Sequence, residues 1–149
     1  MELHLNGSTK ISARIDRVFQ LVTDPKFIAG TLPDAEDVAV LDEDSLEAKL
    51  RVKVALVSSA IKFRLTISDR TPPSHARLLA EGSGSGSNMK ITSTFELAGD
   101  GSTTMNWAAD VEITGLIAGL GSTFLRGFAE KRVAEIFEGI TKAVEAKAK

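Results

Sequence analysis

The stretch HARLLAEGSGSGSNMKITSTFEL, His75–Leu97, decides how the chain is read. From Gly82 to Ser87 three glycines alternate with three serines, the composition of a flexible tether between independent domains. The flanks argue otherwise. From His75 one register reads Ala76, Leu78, Ala80, Gly82, Gly84, Gly86, and the other Arg77, Leu79, Glu81, Ser83, Ser85, Ser87. Alternation of period two marks a half-buried strand. The serines prolong its mostly polar face and the glycines its apolar one, a register that a tether has no reason to keep. A second strand follows at once, with Met89, Ile91, Ser93, Phe95 and Leu97 opposed by Lys90, Thr92, Thr94 and Glu96. The run is therefore read as strand and turn within one sheet. Its inner face tapers from Leu78 to bare backbone, so something bulky must approach there. A phosphate loop is disfavoured, because no glycine–lysine signature or following helix accompanies the glycines.

Working outward, the same alternation recurs. Leu3, Leu5, Gly7, Thr9 and Ile11 oppose Glu2, His4, Asn6, Ser8 and Lys10. Two short helical segments come next, Ala13–Val22 and then DPKFIAG, where Pro25 suits a first turn and Gly30 a stop. Val38 and Val40 suggest a second strand. Further strands place Leu46, Ala48, Leu50, Val52 and Val54, then Ile61, Phe63, Leu65 and Ile67, and finally Met105, Trp107, Ala109, Val111 and Ile113 inward. From about Leu116 to the end the spacing predicts one long helix. Ala129, Val133, Ile136, Ile140 and Val144 form its apolar stripe. Leu125 continues that stripe, whereas Ile117, Leu120, Phe124 and Phe128 project elsewhere. The pattern predicts an α+β helix-grip fold in a single domain spanning 1–149. A curved seven-stranded antiparallel sheet surrounds a long C-terminal helix, with two short helices after the first strand. Such a sheet tends to leave an apolar cavity.

The chain has 149 residues, 18 basic and 20 acidic, for a net charge of −2, which gives no electrostatic reason to expect nucleic acid. It contains no cysteine, so disulfide and thiolate chemistry are excluded and a reducing compartment suits it. MELHLNGS lacks the pattern of a signal peptide, and no run is apolar enough to span a membrane. The expected location is the cytoplasm. His4 and His75, the only histidines, fall on outward strand positions. The acid-rich DAEDVAVLDEDSLE lacks the spacing and central glycine of a calcium loop. No inward position on the third to seventh strands is charged, and tyrosine is absent. Neither a catalytic constellation nor a metal site is expected. Lys49, Arg51, Lys53, Lys62 and Arg64 decorate two adjacent outer faces, either as a solubilising surface or as a patch for anionic lipid or an acidic partner.

LVTDPKFIAGTLPDAE (Leu21–Glu36), EGSGSGS, and GDGSTTMNWAADVEITGLIAGLGSTFLRGFAEK (Gly99–Lys131) appear in an order and spacing that run through nearly the whole chain. In these the sequence resembles the family of the carbon monoxide dehydrogenase G subunit, within the START-like, or Bet v 1-like (SRPBCC), superfamily. The resemblance implies association with a molybdenum-containing CO dehydrogenase or related hydroxylase. It also implies membrane recruitment of that enzyme or handling of a hydrophobic redox partner such as a quinone. Some members carry an extended C-terminal tail, whereas this chain ends in VEAKAK, so membrane contact is expected to be peripheral, at the inner face, or made through a partner. The expected role is a non-catalytic carrier without a built-in cofactor, holding a quinone- or lipid-like guest. Its expected lining is Phe27, Leu32, Leu50, Val52, Phe63, Gly84, Gly86, Phe95, Trp107, Leu120 and Phe124. Leu56, Val57 and Phe128 are expected to contact a partner or membrane. The alternatives are an assembly or recruitment factor acting through its surface, and a cyclase or hydrolase of the same superfamily.

Overall fold

The structure is a computed structural model that describes residues 1–32, 35–54, 57–84 and 86–148, with residues 52, 54, 57, 59 and 148 described by backbone alone. The chain runs β1 (Glu2–Ile11), α1 (Ile15–Val22), α2 (Pro25–Ala29), β2 (Ala35–Val40), β3 (Ser45–Val54) and β4 (Val57–Thr71). It continues through β5 (His75–Gly84), β6 (Ser87–Ala98), β7 (Thr103–Gly115), a 3-10 turn (Ile117–Leu120) and α3 (Ser122–Ala148). The strands form one curved antiparallel sheet in the order β1-β7-β6-β5-β4-β3-β2. Neighbours in sequence are neighbours in the sheet except at one seam, where β1 lies against β7 with Glu2 opposite Glu112 and Ile11 opposite Thr103. The short helices are set by local chemistry: Pro25 opens α2, and the Asp24 carboxylate accepts the Lys26 N–H at 3.0 Å.

The described residues of the glycine–serine run belong to a hairpin, and Ser85 lies outside them. Pairing continues through Ser83 opposite Asn88 and Gly84 opposite Ser87. Its tip then holds the chain that leaves the sheet. The Leu116 N–H donates to the Gly86 carbonyl at 3.2 Å, and the Ile117 N–H to the buried Ser87 Oγ at 3.0 Å. Gly86 and Gly115 have φ of +76° and +93°. A Cβ on Gly115 would fall 2.1 Å from the Gly86 carbonyl oxygen, so only glycine permits this contact.

That anchor corrects one expectation. The predicted unbroken helix from Leu116 is instead a 3-10 turn, then Gly121 at φ +94°, then α3. Tied to the hairpin by those bonds, the turn is separated from α3 at Gly121, whose positive φ glycine adopts freely. Ile117 is consequently buried rather than facing outward, while Leu125 keeps its place in the core.

The core forms two clusters. One gathers Ile11, Val18, Phe19, Leu46, Ile67, Phe95 and Val144 beneath the short helices and the end of α3. The other gathers Leu3, Leu5, Val111, Ile113, Ile117 and Leu125 beneath its start. Trp107 packs against both. Helix α3 lies along β1 and touches α1 and the 3-10 turn. Its middle therefore bridges the two clusters above the centre of the sheet.

Candidate functional site

Between the clusters lies a cavity of about 270 Å³. Its floor comes from inward positions of β3 to β7: Leu50, Ile61, Phe63, Leu65, Leu78, Ala80, Gly82, Met89, Ile91, Phe95, Met105, Trp107 and Ala109. Val133, Ile136, Phe137 and Ile140 of α3 roof it, and Val22, Ile28 and Leu32 close one end. Among the described residues, Ser93 and Thr94 supply the only hydroxyls of the lining, and the Ser93 hydroxyl already donates to the Leu78 carbonyl at 3.3 Å. None of these lining side chains is ionisable. Together with those hydroxyls, the Trp107 indole N–H completes their set of conventional side-chain donors. A site of this kind favours an apolar guest and makes an unpaired charge costly.

Trp107 is the most constrained element of the wall. Its ring stacks on Phe137 with centroids 4.8 Å apart and planes 19° apart. It also covers Gly7 across the β1–β7 pair, where a Cβ would come within 2.6 Å of Trp107 Cζ2. A bare backbone on the neighbouring strand thus gives the indole its seat.

The structure brings Leu32, Leu50, Phe63, Phe95 and Trp107 together on the cavity. It places other expected lining residues elsewhere. Phe27 is packed into the core beneath α2, with the Lys147 ammonium 5.9 Å from its ring centroid. Gly84 meets the backbone of β4, since a Cβ would lie 2.2 Å from the Ala60 oxygen. Gly86 sits in the hairpin turn against Leu116. The break at Gly121 takes Leu120 onto the second cluster and leaves Phe124 46% exposed. Of the glycine strip, Gly82 alone lines the cavity. Phe128 is partly buried against the second cluster. Leu56 and the side chains of Val52 and Val57 lie outside what is described. Alternation turns Leu78, Ala80, Met89 and Ile91 inward, and curvature makes them lining. Phe137 follows Val133 by four residues and precedes Ile140 by three, so the helical period already places it beside the apolar stripe.

His4 and His75 are on the outer face as expected, but each is paired. The Nδ1 atoms lie 2.6 Å from Asp110 Oδ1 and Glu96 Oε1, their cross-strand neighbours. Among the described residues no group of three or more His, Cys, Asp or Glu could hold a metal ion, and no helix is long and apolar enough to cross a membrane.

The family model for the G subunit of carbon monoxide dehydrogenase (CoxG) matches residues 7–145. No curated protein matches the sequence significantly. Among solved structures, the chain is similar to a conserved protein from Geobacillus kaustophilus, with 23% identity, TM-score 0.87, and 99% of this chain and 98% of that one covered. It is also similar to the Zhui aromatase/cyclase from Streptomyces sp. R1128, with 15% identity, TM-score 0.71 and coverage of 100% and 97%. A START superfamily protein from Mycobacterium smegmatis shows 16% identity, TM-score 0.64 and coverage of 97% and 96%. At these identities the likeness is one of fold.

Proposed function

Because the chain belongs to the CoxG family, that of the carbon monoxide dehydrogenase G subunit, we propose that it is a non-catalytic binder of a hydrophobic molecule, accessory to a molybdenum-containing CO dehydrogenase or related hydroxylase. The observation that carries this reading is the cavity lining, which is apolar apart from two hydroxyl-bearing residues and contains no acid or base among the described residues. A cavity of ~150 Å³ accommodates benzene. The space here therefore suits a planar ring with substituents, or a stretch of chain, of about a dozen heavy atoms. A guest burying ~200 Å² of apolar surface gains ~5 kcal/mol from transfer alone, before the losses of ordering. The stacked Trp107–Phe137 wall favours a flat ring, which suits a quinone headgroup, and an aliphatic lipid tail fits the remaining aliphatic sides.

The test uses Trp107, the only tryptophan in a chain without tyrosine. Titration with a short-chain quinone or a fatty acid should change its emission saturably at one site. Ala80→Phe, which places a phenyl ring in about half of the space, should weaken that binding at least tenfold while leaving the fold intact. Absence of any saturable response, together with a clean apo mass in native mass spectrometry of gently purified protein, would refute the carrier reading.

One observation favours recruitment through the surface. Leu116 is 74% exposed and Phe124 46% exposed, and both belong to the segment beside the β5–β6 hairpin. If this end is the functional surface, Leu116→Asp abolishes association with vesicles or enzyme and leaves cavity binding unchanged.

A further inference from the structure

We infer that the open edge of β2 is a docking strand for an extended protein segment carrying basic and apolar side chains. Strand β2 ends the sheet, and among the described residues it pairs only with β3. The Leu41 N–H donates to the Ser45 carbonyl at 3.0 Å. Antiparallel alternation therefore turns the N–H and C=O of Val40 away from β3, toward the open side. Natural edges are commonly blunted by charge or covered. Here a bulge between Glu36 and Ala39, with Asp37 at φ +50°, interrupts the start of the edge, and its end is apolar and open, with Val38 and Val40 each 38% exposed and Leu41 42% exposed.

The surrounding charge is one-sided. From Ala35 to Ala48 the acids are Glu36, Asp37, Asp42, Glu43, Asp44 and Glu47, with no base among them. Glu36 is paired with Arg51 and Asp44 with Arg70; Asp42 accepts hydrogen bonds within its own turn and Glu47 lies opposite Arg64 on β4, which leaves Asp37 and Glu43 beside the apolar stretch. Arg70 also donates to the Thr23 and Glu43 carbonyls at 3.2 Å each, fixing the acidic turn against the end of α1. A groove runs from Val40, Leu41 and Glu43 toward the α1–α2 corner, where Asp24 and Lys26 line it and Arg70 holds the Thr23 carbonyl.

This charge selects the occupant. A second copy adding β2 to β2 antiparallel, with Val40 opposite Val40, would set Asp37 against Glu43 of the other chain, acid on acid. An anionic membrane is repelled for the same reason. A basic, extended segment receives main-chain hydrogen bonds from the edge. It also gains apolar contact on Val38 and Val40, and neutralises Asp37 and Glu43. This surface is independent of the cavity, so the two readings stand or fall separately.

The probe is a fluorescein-labelled, capped (Lys-Val)3 peptide, followed by anisotropy on the full chain and by amide hydrogen exchange. Expected are one-to-one binding that weakens as salt is raised, protection of the Val40 amide, and no binding of the matching (Glu-Val)3 peptide. Val40→Lys and Glu43→Lys, both at exposed positions, should each weaken binding about tenfold without changing the thermal midpoint. The inference is overturned if (Lys-Val)3 does not bind, if both variants bind it as the parent does, or if protection appears away from β2. A concentration-dependent dimer that Val40→Lys returns to monomer would overturn it as well, by giving the edge to a second copy.

Discussion

Gly7→Ala tests whether Trp107 holds the cavity wall by resting on bare backbone. The new methyl would lie 2.6 Å from Cζ2 and 2.9 Å from Cε2 of the indole, far inside contact distance. The stack on Phe137 restrains the ring from moving aside. Overpacking of this kind costs ~1–3 kcal/mol. Replacing a strand glycine returns ~0.5–1 kcal/mol, leaving a net loss of up to ~2.5 kcal/mol. In a Trp107→Leu background the obstruction is gone, and the same Gly7→Ala change should stabilise by ~0.5–1 kcal/mol. That reversal of sign corresponds to a coupling of ~1–3 kcal/mol between the two positions. Urea unfolding followed by far-UV circular dichroism measures all four corners of the cycle, since two lack the tryptophan. The midpoint of thermal unfolding for Gly7→Ala should fall by up to ~10 °C. A stabilising Gly7→Ala in the native background, or a coupling below ~0.5 kcal/mol, would refute the reasoning.

Three further outcomes follow from the geometry. Ser87→Ala removes the acceptor of the Ile117 N–H, a buried donor, and should cost ~1–3 kcal/mol in chemical unfolding. Leu116→Asp and Phe124→Ser, at exposed positions, should change stability by less than ~0.5 kcal/mol, and co-sedimentation with vesicles then reads the function of that end without a folding artefact. Asp42 is held below its ordinary pKa by hydrogen bonds from the Asp44 N–H and the Ser45 hydroxyl. Its folded value lies below its unfolded one, so its contribution is fully present above the unfolded pKa and is lost as pH falls through the folded value. Asp42→Asn should therefore flatten the acid side of a plot of urea midpoint against pH.

The sheet was legible because a one-residue slip would turn an entire apolar face to water. Leu3 with Leu5, Leu46 with Ala48, and Phe95 with Leu97 each fix their strand's register unaided. The cavity was half legible. Alternation identifies an inward side chain but not whether another side chain meets it. Leu46 is fully buried, and Leu50, four residues along the same face, borders open space. That difference arises from where α3 passes over the sheet, a tertiary fact. The glycine strip misled for a related reason. Gly84 is bare because β4 backbone presses on it, and Gly86 because the turn needs positive φ. Neither cause leaves a mark in hydrophobic period. The helix break at Gly121 was hidden likewise, since the hydrogen bonds that redirect the chain come from Gly86 and Ser87, some thirty residues earlier.

The seam between β1 and β7 has a consequence for how the molecule is made. Strand β1 leaves the ribosome about a hundred residues before its ladder partner. At ~5–20 residues per second, β1 waits on the order of ten seconds with Leu3 and Leu5 lacking their neighbours. Until β7 arrives, Gly7 has no indole to seat and the binding chamber has no wall on that side. The cavity is therefore enclosed only in chains whose sheet has been synthesised to its last strand.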